Sequence, residues 1–137
     1  MKNKIFASIC VVCLLACLFP WSALCEDVVP YASHVIDTTE ITMSSSGGKV
    51  YAVATLKTTN SATKIGFTSV KLYHKVDGVW KVAASASNKY GTGVIYTVKV
   101  SCNLTSGDEY KATCSAYAVV DGESDTGSAS AGATTYN

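Results

Sequence analysis

Val94, Tyr96, Val98, Val100 and Cys102 alternate with Ile95, Thr97, Lys99 and Ser101. A period of two is the mark of extended backbone, whose successive side chains leave opposite faces, and a helix cannot keep such a pattern on one side. Runs of the same β-branched and aromatic character fill His34–Met43, Lys49–Thr58, Thr68–Val76, Val79–Ala86, Tyr110–Val119 and Gly127–Tyr136. Between them, Ser44–Gly48, Thr59–Thr63, Asp77-Gly78, Asn88–Gly93, Thr105–Asp108 and Asp121–Asp125 supply residues that accept positive φ or make local side-chain turns. Asp77-Gly78 between two apolar runs is the signal of a two-residue type I′ hairpin. The pattern predicts an all-β chain folded as a single antiparallel β-sandwich of about seven strands.

The amino end follows a different rule. Lys2 and Lys4 precede an apolar run from Ile5 to Phe19, and small residues at Ala23 and Cys25 stand before Glu26-Asp27. A basic start, an apolar segment short for a membrane span and small residues at the cleavage positions make a secretory signal peptide. The expected organisation is a leader over 1–25, a short linker over 26–33 and the β-domain over 34–137, with the working protein secreted and without a membrane span. Leu14-Leu15-Ala16-Cys17 and Ser22-Ala23-Leu24-Cys25 both end in cysteine, as a lipoprotein acylation box does. Cys17 is followed by more apolar residues and Cys25 is preceded by the bulky Leu24, so the reading favours free secretion over a lipid anchor.

Cleavage there removes Cys10, Cys13, Cys17 and Cys25 and two of the eleven lysines, leaving nine lysines against ten acids and no arginine. Without arginine there is no planar fork for phosphate or guanine, and the lysines are scattered along the chain, so neither nucleic acid nor an anionic membrane surface is an expected partner. Glu26 to Asn137 is the length of one ordinary domain and can enclose one core.

Few residues carry candidate chemistry. Cys102 and Cys114 both share the parity of the inward side chains on their strands, and an oxidising destination predicts a disulfide between them worth about 3 kcal/mol. Nothing places either histidine, His34 or His74, beside a sulfur, so a reactive cysteine is not expected; His74 shares the face of Val70 and Leu72 and reads as a satisfied core side chain. Asp121, Glu123 and Asp125 crowd three carboxylates together, but no bidentate glutamate follows at calcium-loop spacing, and a solvated loop explains them better than a metal site. Asn103-Leu104-Thr105 matches a glycosylation sequon, a short pattern common by chance. No metal, cofactor or catalytic set is expected, and the chain is read as a non-enzyme.

Seven short strands with turn signals every eight to twelve residues resemble the immunoglobulin and fibronectin type III sandwiches. Leu104-Thr-Ser-Gly-Asp-Glu-Tyr110-Lys-Ala-Thr-Cys-Ser-Ala116 resembles the fibronectin type III passage from the fifth strand to the sixth, which implies a tyrosine corner in which the Tyr110 hydroxyl satisfies backbone near Leu104. The early tryptophan of that domain is missing, and Trp80 stands in the fourth predicted strand. Across most of the chain, Ala32-Ser33, Ser45-Ser-Gly-Gly-Lys49-Val, Lys64-Ile-Gly66, Ser69-Val-Lys-Leu-Tyr73-His-Lys, Gly78-Val-Trp80-Lys-Val, Tyr110 and Asp125 resemble a family of short uncharacterised secreted proteins of Gram-positive bacteria. That resemblance implies one β-sandwich behind a cleaved leader and no known activity.

If Val70 and Leu72 point inward, Lys71, Tyr73 and Lys75 point out, with Tyr117 beside them on the sixth strand and Tyr136 completing the row from the seventh. Exposed tyrosines on a flat sheet suit sugar rings or a protein surface, although tyrosine is also a common strand former. The expected function is a secreted, non-catalytic binding or adhesion module for carbohydrate or protein, with Tyr73, Tyr117, Tyr136, Lys71 and Lys75 as binding residues. The alternative is a structural protein that assembles through an exposed edge strand.

Overall fold

Residues 35–137 are described by the computed structural model, and all of them belong to one compact unit. The leader, the linker and His34 lie outside the described residues. Five antiparallel strands form one continuous sheet: β1 (Ile36–Ser46), β2 (Lys49–Val76), β3 (Val79–Asn103), β4 (Glu109–Val120) and β5 (Glu123–Thr135). The count of about seven is thereby corrected. Predicted strands two and three are the two ends of β2, and predicted strands four and five are the two ends of β3. Thr59–Thr63 does not break β2; its register with β3 instead shifts twice, between Lys57 and Ala62 and between Ala62 and Ile65. Asn88–Gly93 is likewise no loop, because the left-handed Asn88 (φ 53°) and Gly93 (φ 119°) bend β3 without ending it.

The two long strands give the sheet its curl. The first part of β2 runs between β1 and the last part of β3, whereas its second part runs between the first part of β3 and β4, with β5 beyond. At the crossing, Gly66 pairs with Tyr90, and a Cβ on Gly66 would overlap the Lys89 carbonyl oxygen. Only glycine lets the two backbones approach there. The curl brings β5 back against β1: the Ile36 amide donates to Asp125 Oδ2, and Gly127 faces the side chains of Thr39 and Ile36.

Three turns close on two residues that both have positive φ, Gly47-Gly48, Asp77-Gly78 and Asp121-Gly122. Their handedness matches the strand twist, as for type I′ hairpins. The third corrects the polar loop expected over Asp121–Asp125, since β5 begins at Glu123. Asp125 accepts amides from Ile36 and Thr126, so its carboxylate serves closure of the fold.

The core follows from alternation with two changes of phase along β2. Val50, Ala52, Ala54, Leu56 and Thr58 are buried at even positions, Ile65 and Phe67 at odd ones, and Val70 and Leu72 at even ones again. The second change is a bulge between Phe67 and Ser69, where Thr68 donates its hydroxyl to the Ser115 carbonyl. β4 answers with Tyr110, Ala112, Cys114, Ala116, Ala118 and Val120. Tyr110 has no exposed surface; its hydroxyl accepts the Thr105 amide at 2.8 Å and donates to the Asn103 carbonyl at 3.5 Å. This is the corner expected near Leu104.

Cys102 and Cys114 are free thiols. Both do lie on the core side, but at different levels. Cys102 sits opposite Val50 in the first part of β2, whereas Cys114 sits opposite Val70 in its second part. The expected bridge is not formed.

Candidate functional site

Strand pairing converts the sequence into rows of side chains across the outer face of β3, β2 and β4. Partners in an antiparallel ladder share a side, so the phase that buries Val70 and Leu72 sends Ser69, Lys71, Tyr73 and Lys75 outward. Tyr73 pairs with Val82 on one side and Lys111 on the other. Lys75 pairs with Trp80, and its ammonium donates to Glu109 at 2.8 Å. Lys71 lies between Ser85 and Thr113, and Ser69 between Ser87 and Ser115. Gly66 lies between Tyr90 and Tyr117.

Two aromatic groups stand at the ends of this ladder. At one end the Lys111 ammonium lies 4.5 Å from the Trp80 ring centre and 5.4 Å from that of Tyr73, with Lys75 5.6 Å from Trp80. At the other, Tyr90 and Tyr117 meet edge to face at 6.4 Å across the bare backbone of Gly66, and Lys64 lies 4.4 Å from the first ring and 5.4 Å from the second. Exposed cation–π pairs are worth about 0.5–1 kcal/mol, so a ligand that offers a better partner displaces them. Between the ends lies a strip of hydroxyls from Ser69, Ser85, Ser87, Thr113 and Ser115, with Lys71 among them.

The ladder unites Tyr73, Lys71, Lys75 and Tyr117 on one face, as their parity predicts, although Tyr73 and Tyr117 belong to different aromatic groups. Tyr136 does not join them. Its ring lies 6.2 Å from that of Tyr110, it packs against the core, and burial pushes its phenol up from the ordinary tyrosine range. Tyr136 follows the end of β5, where its carbonyl accepts the Gly107 amide and its ring turns toward Tyr110. Trp80, Tyr90, Lys64 and Lys111 are members that the sequence reading missed. Lys111 was legible, since it shares parity with Tyr117 on one predicted strand. Tyr90 was not, because it sits in a stretch read as a loop.

The other reactive groups serve structure. His74 stacks on Tyr110 with ring centres 4.7 Å apart, and its Nε2 meets Asp108 Oδ2 at 2.5 Å. Burial pushes both thiols up; for Cys114 a backbone hydrogen bond from Ala129 partly offsets it. Among the described residues no cluster of histidine, cysteine and carboxylate groups has the geometry of a metal site, and no helix is long and apolar enough to cross a membrane.

No protein-family model matches the chain, and no curated protein matches it. A solved structure described as "Structure of FN3tt mut" is similar over 70% of this chain and 90% of that one, with 17% identity and a TM-score of 0.28. A likeness of that size carries no argument about function.

Proposed function

We propose that this protein is a secreted, non-catalytic binding or adhesion module that uses the outer face of β3, β2 and β4 to hold an extracellular carbohydrate or protein. The observation that carries this reading is the gathering of Trp80, Tyr73 and Lys111 at one end of that face and Tyr90, Tyr117 and Lys64 at the other. The core needs none of these six side chains. Rigid rings with polar edges are the usual anchors of recognition surfaces. The leader-like amino end and the resemblance to short secreted proteins of Gram-positive bacteria support an extracellular place of work. Counting the two ends of β2 and of β3 separately gives seven segments, and the Tyr110 corner supports reading them as a sandwich of fibronectin type III character.

Retention of the purified protein on glycan-coated and protein-coated surfaces tests the proposal. Trp80→Ala and Tyr73→Ala should each reduce retention several-fold without changing thermal stability. Equal retention of wild type and both variants would show that the face is not the site.

A second reading, assembly through an edge strand, draws on β3. Among the described residues it pairs only with β2 along its 25 residues, and it exposes Val79, Val82, Val94 and Ile95. An unpaired edge of this kind can template another strand. The kinks at Asn88 and Gly93 interrupt it, which favours the binding module. Size-exclusion chromatography over a wide concentration range separates the two: a constant monomeric volume removes the assembly reading.

A further inference from the structure

The proposed recognition face carries an excess of positive charge. Lys64, Lys71, Lys75 and Lys111 lie on it, and the carboxylate in its rows, Glu109, is engaged by Lys75. Among the described residues the ion pairs are His74 with Asp108 and Lys75 with Glu109, so Lys64, Lys71 and Lys111 meet no carboxylate. Two of these three ammonium groups rest over aromatic rings, where a cation is held weakly and gives way to an anion.

The middle of the face matters as much as its ends. From Lys111 to Tyr117 is six residues of strand, about 20 Å at roughly 3.4 Å per residue. That interval presents hydroxyls and Lys71, with no apolar side chain from β2 or β4 to bury. A protein partner that docked here would cover polar groups at the centre and find its aromatic contacts at the rim, the reverse of an ordinary protein interface. A chain of sugars meets different requirements: the ring faces of separate residues stack on the two aromatic ends, and hydroxyls bridge the strip between.

We infer that the ligand of this face is a linear acidic polysaccharide bearing sugar carboxylates, lying along β2 from the Trp80–Tyr73 end to the Tyr90–Tyr117 end, with Lys64, Lys71 and Lys111 pairing with its carboxylates. This rests on the recognition face proposed above. A mono- or disaccharide does not reach both ends, so binding requires an extended chain, and a neutral glycan leaves the lysines uncompensated.

Affinity electrophoresis of the purified protein tests it, with gels containing polygalacturonate, alginate or hyaluronate, neutral gels containing dextran or mixed-linkage β-glucan, and polyglutamate as an acidic polypeptide. Retardation is expected in at least one acidic-glycan gel, weakening as salt is raised. Trp80→Ala and Tyr117→Ala should each weaken it about tenfold, as loss of an anchor does. Lys71→Gln combined with Lys111→Gln should weaken it while leaving thermal stability unchanged. Retardation only in neutral gels, still lost in Trp80→Ala, overturns the acidic class and keeps the recognition face. Glycan binding that survives both aromatic substitutions overturns the face itself. Retardation by polyglutamate alone, or in no gel, overturns the inference.

Discussion

Tyr110 joins three parts of the molecule through one side chain. Its ring fills the core at the start of β4, its hydroxyl ties Asn103 and Thr105 to the strand that follows, and His74 and Tyr136 pack against the ring. Tyr110→Phe keeps the ring but leaves the Thr105 amide and the Asn103 carbonyl without their partner, which should cost about 1–3 kcal/mol in urea unfolding. Tyr117→Phe, on the outer face, should be nearly neutral. The thiols give a second expectation at this scale. Burial raises Cys102 and Cys114 in the folded state, so the native protein holds those protons more tightly than the unfolded chain. Below the unfolded thiol value both states are protonated and stability is unaffected; as pH rises through it towards the folded value, the unfolded chain ionises first and stability falls. The urea midpoint should therefore decline from neutral pH to about pH 9.5, above the roughly 8.5 of a free thiol. A Cys102→Ser, Cys114→Ala protein should show less of this decline. Thiol labelling of the unfolded, unreduced protein should modify both cysteines.

At the scale of elements, β2 and β3 are each one strand where the sequence pattern predicts two. Alternation and the Asp77-Gly78 signal made the strands and the central hairpin legible. Tyr110 and the outward phase of Tyr73 and Tyr117 followed from the same rule. What alternation cannot reveal is whether turn-forming residues end a strand or bend it. Asn88 and Gly93 have the identities of a loop, yet their left-handed conformations are absorbed within continuous β3. The lysines raise a similar difficulty: scattered in sequence, Lys64, Lys71, Lys75 and Lys111 converge only once β2 and β4 pair. Cys102 and Cys114 fail for a related reason, since parity fixes the face of a side chain and says nothing of its level along a neighbouring strand. The bend at Asn88 gives a direct test. A β-branched residue is poorly tolerated at a φ of 53°, so Asn88→Val should destabilise by about 1–2 kcal/mol. Asn88→Gly should stay within a few tenths of a kcal/mol of wild type. Equal effects would mean that the kink is not held in solution.

For the molecule as a whole, closure of the curled sheet depends on the approach of β5 to β1, two strands that share no ladder. The approach is close because Gly127 has no side chain. A Cβ at that position would run into the Thr39 hydroxyl and stand 3.5 Å from Ile36 Cδ1. Thr39 Oγ1 is itself buried without a hydrogen-bond partner, and the Ile36 amide is held by Asp125, so β1 and β5 cannot part here without losing that contact. Gly127→Ala should therefore force β1 and β5 apart and cost about 1–3 kcal/mol, as overpacking does. Gly132, on the same strand, has nothing within 4 Å of its would-be Cβ. Gly132→Ala should be neutral or stabilise by up to about 1 kcal/mol through the unfolded chain. The contrast separates closure from a general intolerance of side chains on β5. Thr39→Ala in the Gly127→Ala background should then restore part of the loss, because it removes the atom the new Cβ meets. A full loss at both glycines, or none at either, would show that the β1–β5 contact does not hold the sheet in its curl.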